Sequence, residues 1–156
     1  MLSPDFKEFI ELLNVHNVQY LIVGGYALAF HGHPRYTKDI DIWIATNTDN
    51  AQKMLNVLKD FGFASLSLSQ QDFLEQDNII QIGFPPNRID ILTSVDGIQF
   101  ADSISESSII KVDGITIHLI GIHKLIENKT ASGRLQDLAD VEKLQALLSE
   151  RKKNSD

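Results

Sequence analysis

Hydrophobic and polar positions along this chain follow two different periods, and the switches between them mark its elements. In "SPDFKEFIELLN", Phe6, Phe9, Ile10 and Leu13 recur at helical spacing, behind Ser3 as N-cap, Pro4 at the first helical position and Asp5 in the first turn. "VQYLIV" is a continuous apolar run rich in β-branched residues and predicts a buried strand. Gly24 and Gly25 break it, and "YALAFHG" predicts a short helix. "DIDIWIA" alternates, predicting a strand that ends near Thr46, and a helix follows over about 49–61 with Met54, Val57, Leu58 and Phe61 on one face. "NIIQIGF" and "RIDILTS" read as neighbouring strands joined through "PPN". "SSIIKVDGITIHLI" reads as a hairpin turning at Asp113-Gly114. Helices near 121–131 and 134–149 follow, with a frayed tail at 151–156. Hairpins mixed with helical crossovers predict an α+β fold, a mixed β-sheet flanked by helices, with residues 1–150 as a single domain.

Length and charge narrow the function classes. At 156 residues the chain is long enough for one domain with a real core. No apolar stretch reaches the roughly 18 residues of a membrane helix, and no secretory leader precedes the first helix pattern, so the expectation is a cytoplasmic protein without membrane partners. Cysteine is absent, which excludes disulfides and thiolate zinc sites. A net charge of −7 argues against non-specific DNA binding, which depends on phosphate neutralisation, and leaves room for a local basic cleft.

The unusual feature is carboxylates on apolar strands. Alternate strand residues share a face, so Asp39 and Asp41 point the same way about 6.5–7 Å apart. Ile40 and Ile42 then point into the core. Asp90 in "RIDIL" repeats the device. If the two strands are neighbours, three carboxylates converge, repel, and raise one another's pKa. A divalent cation removes that conflict, and all-oxygen ligation favours Mg²⁺ or Mn²⁺. Carboxylates shared by two ions roughly 3.5–4 Å apart give the geometry of phosphoryl and nucleotidyl transfer. The plainer reading has Asp39 cap a turn and the others pair with Lys38 or Arg88 at a sheet end. Gly24-Gly25 ends one strand and opens a helix, where unpaired N–H groups attract anions and missing β-carbons admit a phosphate; the plainer reading there is a tight turn.

Together these residues resemble the nucleotidyltransferase superfamily with the DNA polymerase β-like fold. Its signature is an apolar residue, Gly-Gly or Gly-Ser, nine to thirteen residues, then Asp-apolar-Asp/Glu-apolar. Here Val23-Gly24-Gly25 is followed after thirteen residues by Asp39-Ile40-Asp41-Ile42, and Asp90 matches the third carboxylate on a later strand. The small size, "GGYALAFHGHPRYTKDID" and "NKTASGRLQDLADVEKL" are similar to the compact bacterial nucleotidyltransferases. That group includes abortive-infection-type toxins and, more distantly, lincosamide-modifying enzymes. The resemblance covers roughly residues 18–145.

It implies transfer of a nucleoside monophosphate from an NTP to an acceptor hydroxyl, with release of pyrophosphate and with Mg²⁺ or Mn²⁺, two ions, as cofactor. By position, Gly24 and Gly25 contact triphosphate, Asp39 and Asp41 bind both metals, and Asp90 joins the second ion and helps deprotonate the acceptor. Arg35 and Thr37 match an "RxTxDxD" form of the family, Arg35 as a phosphate clamp and Thr37 more readily as support for the turn. Lys129 and Arg134 match a helical lysine followed by "GR-x-x-D-x-x-D" and supply positive charge to the triphosphate. Asp137 and Asp140, at i and i+3, read as anchors for these cations. His31 and His33 read as a loop near the nucleotide base rather than as a zinc site. Trp43 shares the face of Asp39 and Asp41, with core packing favoured over base stacking. The acceptor stays open between a tRNA end, a protein side chain and a small molecule, and a partner protein is one way to complete the site. The alternative is a non-catalytic nucleotide- or partner-binding module of the same fold.

Overall fold

The computed structural model describes residues 2–34, 36–63 and 66–155. Helix α1 (Pro4–Val15) starts where the Ser3 hydroxyl accepts the Phe6 N–H, and it buries Phe6, Phe9, Ile10 and Leu13. Strand β1 (Tyr20–Val23) is buried throughout and leads directly into α2 (Gly24–Phe30). Strand β2 (Asp39–Ile44) and helix α3 (Thr48–Asp60) follow. The Asn47 side chain caps α3, and Asn50 in its first turn ties the helix to the sheet by bonds with Gln19 and Ala45.

Strands β3 (Ile79–Ile82) and β4 (Arg88–Leu92) form the first expected hairpin, and β5 (Ser108–Val112) and β6 (Ile115–Leu119) the second. Asp113 and Gly114 both take positive φ, +52° and +83°, as the two-residue turn requires. Two short elements carry no clear periodicity in the sequence, a 3₁₀ turn at Gln70–Phe73 and helix α4 (Phe100–Ile104). Helices α5 (Ile122–Ser132) and α6 (Leu135–Ser155) complete the fold. The segment expected to fray is helical as far as Ser155, and Arg151 donates to the His31 carbonyl at 2.9 Å.

The six strands form one mixed sheet in the order β3-β4-β2-β1-β6-β5. β2 runs antiparallel to β1 and parallel to β4, while β1 and β6 are parallel. The fold is therefore the α+β architecture of a mixed sheet flanked by helices. Ile40, Ile42, Ile89 and Ile91 are at most 1% exposed and alternate with the carboxylates. The groove shared by Glu8, Phe61, Ile82 and Ile89 puts α1 and the end of α3 on that isoleucine face. Helices α5 and α6 take the other face, the one that carries Asp41. Among the described residues no helix is long and apolar enough to cross a membrane.

Candidate active site

Sheet register assembles the site. Val23 at the end of β1 lies opposite Asp41, and Asp41 lies opposite Asp90 across the parallel β2–β4 pair. Gly24, the next residue after Val23, turns the chain at φ +69° directly against Asp41. A β-carbon there would overlap the Asp41 carboxylate, so glycine is required for its space as well as its dihedral. Gly24, Gly25, Asp41, Lys129 and Arg134 all line a single cleft of about 410 Å³.

Asp41 sits in a hostile setting for a charge. Burial, then the carboxylates of Asp90 and Asp39, push its pKa up to about 7, against the opposing pull of Lys129 and Arg88. Asp39 and Asp90 are held differently. The Arg88 Nη2 donates to Asp39 Oδ2 at 2.7 Å and to Asp90 Oδ2 at 3.0 Å, while its Nε donates to Asp90 Oδ1 at 2.8 Å. Among the described residues no group of three or more His, Asp or Glu side chains is arranged to hold a metal ion. The register thus brings the three aspartates side by side; of the plainer sequence reading, the pairing of Asp90 with Arg88 is present, while Asp39 bonds Arg88 instead of capping a turn.

The donor chemistry nonetheless suits a divalent cation. Three carboxylates against one guanidinium leave a surplus of two negative charges when all are ionised. Among the described residues Asp39 Oδ1 is buried with no hydrogen-bond partner, which is costly for a carboxylate oxygen. Hard oxygen donors with unspent charge are the ligand set that Mg²⁺ and Mn²⁺ prefer.

The opposite wall of the cleft comes from α5 and α6. Lys129 is 4% exposed and Asp140 0%, and the ammonium donates to Asp140 at 2.9 Å and to Asp137 at 3.2 Å. Burial raises the Asp137 pKa, but hydrogen bonds from the Ser132 hydroxyl and Lys129 outweigh it and hold the carboxyl below its usual value. Arg134 makes one bond to Asp137 through Nε and is otherwise exposed. Asp137 and Asp140 therefore anchor the cations, as their spacing suggests.

The remaining sequence candidates divide. Thr37 donates to the Asp39 carbonyl at 3.2 Å, which supports the entry to β2. Arg35 lies outside the described residues. His31 is buried at the end of α2 with Nε2 bonded to the Ile120 carbonyl at 2.7 Å, a structural contact. Trp43 is 2% exposed and packs edge-to-face on Phe100, in the core. Three further cleft residues, Asp77, Ser94 and Asp96, belong to no motif, and Asn128 opens the α5 stretch quoted above without a role assigned to it. Asp77 takes φ +57°, accessible to Asp, and accepts the Ser94 hydroxyl at 2.7 Å; Asn128 donates to the Asp96 carbonyl at 2.9 Å. Only the convergence of the loops flanking β3 and β4 on helix α5 brings them together.

A family model for aminoglycoside-2''-adenylyltransferase matches residues 5–98. No curated protein sequence matches the chain. Among solved structures, a Thermotoga maritima protein assigned as a nucleotidyltransferase superposes with a TM-score of 0.58 at 15% identity, over 96% of each chain. An antigenic nucleotidyltransferase-like protein from Paracoccidioides brasiliensis gives 0.60 at 15% identity, over 92% of this chain and 75% of that one. ANT(2'')-Ia in complex with adenylyl-2''-tobramycin gives 0.53 at 10% identity, over 97% of both chains. These likenesses are in fold, and the fold is that of nucleotidyltransferases.

Proposed function

The chain belongs to the aminoglycoside-2''-adenylyltransferase family, and from that premise we propose that it moves a nucleoside monophosphate from an NTP to the hydroxyl of a small acceptor, with a divalent cation. The observation that carries this reading is the register that sets Gly24, Asp41 and Asp90 side by side at one end of three adjacent strands. The family signature needs all these residues together, and none is replaced.

In this reading the backbone at Gly24 and Gly25 receives the triphosphate, with Lys129 and Arg134 facing it from the other wall. Asp39 and Asp41 hold Mg²⁺ or Mn²⁺, with Asp90 as the third ligand. An ion held by these residues would neutralise phosphate charge and lower the pKa of the acceptor hydroxyl. Asp90 assists removal of the hydroxyl proton. The hydroxyl oxygen then bonds to the α-phosphorus as the bond to the pyrophosphate oxygen breaks. Thr37 keeps the start of β2 in place, and Arg35 is assigned a phosphate by its motif alone.

A small amine-bearing acceptor is favoured over tRNA or protein because Asp77 and Asp96 line the same cleft as Asp41. Carboxylates there would repel a nucleic-acid backbone and attract ammonium groups, such as those of the aminoglycoside product bound by ANT(2'')-Ia. The test is pyrophosphate release from each NTP with Mg²⁺ and, in turn, an aminoglycoside panel, tRNA and a protein acceptor. Release with an aminoglycoside, lost in the Asp39→Asn, Asp41→Asn double variant, is expected. Nucleotide binding without release, for every acceptor, would instead favour the non-catalytic module.

A further inference from the structure

Arg88 opens β4, lies opposite Asp39 in register and precedes Asp90 by two residues. Its side chain is partly exposed, yet its guanidinium is bidentate on Asp90 and reaches Asp39, using three carboxylate oxygens of the proposed ligand set. We propose that Arg88 is a built-in competitor for the divalent cation, which holds down ion affinity in the free protein and yields its place when the ion arrives with a triphosphate. The inference rests on the reading of Asp39, Asp41 and Asp90 as cation ligands.

Three features of the site argue for it. Both oxygens of Asp90 and one of Asp39 accept N–H donors from Arg88, so each has one lone pair fewer to offer an ion while the guanidinium stays. A guanidinium does not lose its proton in a protein, so it departs by rotation and not by titration. An ion added beside it meets a fixed like charge a few ångströms away, which is a strong repulsion in a partly buried site. A triphosphate changes the balance. Its oxygens accept the same forked pair of N–H donors that Asp90 now accepts, so Arg88 exchanges one bidentate partner for another. The exposure of the Arg88 side chain leaves it room to make that exchange.

The experiment titrates Mn²⁺ alone, with free ion followed by electron paramagnetic resonance, against wild type, Arg88→Gln, Arg88→Lys and the Asp39→Asn, Asp41→Asn double variant. Thermal unfolding of each protein is recorded alongside. The expected result is Mn²⁺ binding about tenfold or more tighter in Arg88→Gln than in wild type, as removal of a nearby positive charge implies. Arg88→Lys, which keeps the charge but loses the fork, falls between them. When Mn²⁺ is supplied with ATP the gap between wild type and Arg88→Gln narrows. Equal or weaker binding in a cooperatively folded Arg88→Gln overturns the competitor role while leaving the ligand set standing. If Arg88→Gln does not fold, Arg88→Lys decides by the same criterion, tighter binding for and equal or weaker binding against. If Mn²⁺ binds wild type no better than the double variant, the ligand set itself falls and the inference with it.

Discussion

At Asp41, burial, two like charges and a close backbone fall on one carboxylate. A free carboxyl ionises near 3.8, and here the value is pushed up to about 7. The folded protein therefore binds a proton at Asp41 that the unfolded chain has already lost. Stability from this group is full below about pH 4 and declines as pH rises towards 7, because over that range the unfolded chain gains an ionisation that the buried site withholds. Asp41→Asn removes that cost. It should stabilise the metal-free protein by ~0.5–2 kcal/mol at pH 8 and by less at pH 5, the trade expected of a functional carboxylate. Melting curves of both proteins at the two pH values check this, and an Asp41→Asn variant that is less stable at pH 8 would contradict it. Gly24→Ala makes the converse point. Its β-carbon would strike the Asp41 carboxylate at a backbone φ of +69°, so it should cost ~1–3 kcal/mol and weaken nucleotide binding, read by urea unfolding and calorimetry.

Between elements, the α5–α6 junction ties one wall of the cleft together. Lys129 and Asp140 are both buried and paired at 2.9 Å, so neither charge has water to fall back on. Asp140→Ala takes the shorter bond from the buried ammonium and leaves it the 3.2 Å bond to Asp137, so it should cost ~1–3 kcal/mol. Arg134→Ala should leave stability almost unchanged, since its bond to Asp137 is largely exposed, while weakening nucleotide binding. Denaturant unfolding with nucleotide titration separates the two, and equal effects would contradict the division of roles. Most elements were legible in the sequence because periodicity and caps agree, as with Ser3 before α1 and Asp113-Gly114 between β5 and β6. The 3₁₀ turn at Gln70–Phe73 and α4 were not, being too short for a period to form. The helical end of α6 was hidden because a polar tail carries no trace of its contact with His31, 120 residues away.

Over the whole molecule, strand order does what no single motif can. The parallel pairing of β2 with β4 makes neighbours of Asp41 and Asp90, 49 positions apart. The glycine–aspartate signature was legible because it lies along one continuous stretch and repeats its parity on β4. The bond from Arg88 to Asp39, and the presence of Asp77, Ser94, Asp96 and Asn128 in the cleft, depend on which strands, loops and helices the fold brings together. They needed the structure.

The central claim is that a nucleotide and a divalent cation bind on Asp39 and Asp41. Its most direct test is thermal unfolding with Mg²⁺ plus each of the four NTPs, beside the Asp39→Asn, Asp41→Asn double variant. A ligand at a hundred times its Kd stabilises the native state by about 2.7 kcal/mol, which is a shift of several degrees for a chain of this size. The account predicts that shift with at least one NTP, dependent on Mg²⁺ and absent from the double variant. No shift with any NTP, or a shift that the variant keeps, would contradict it.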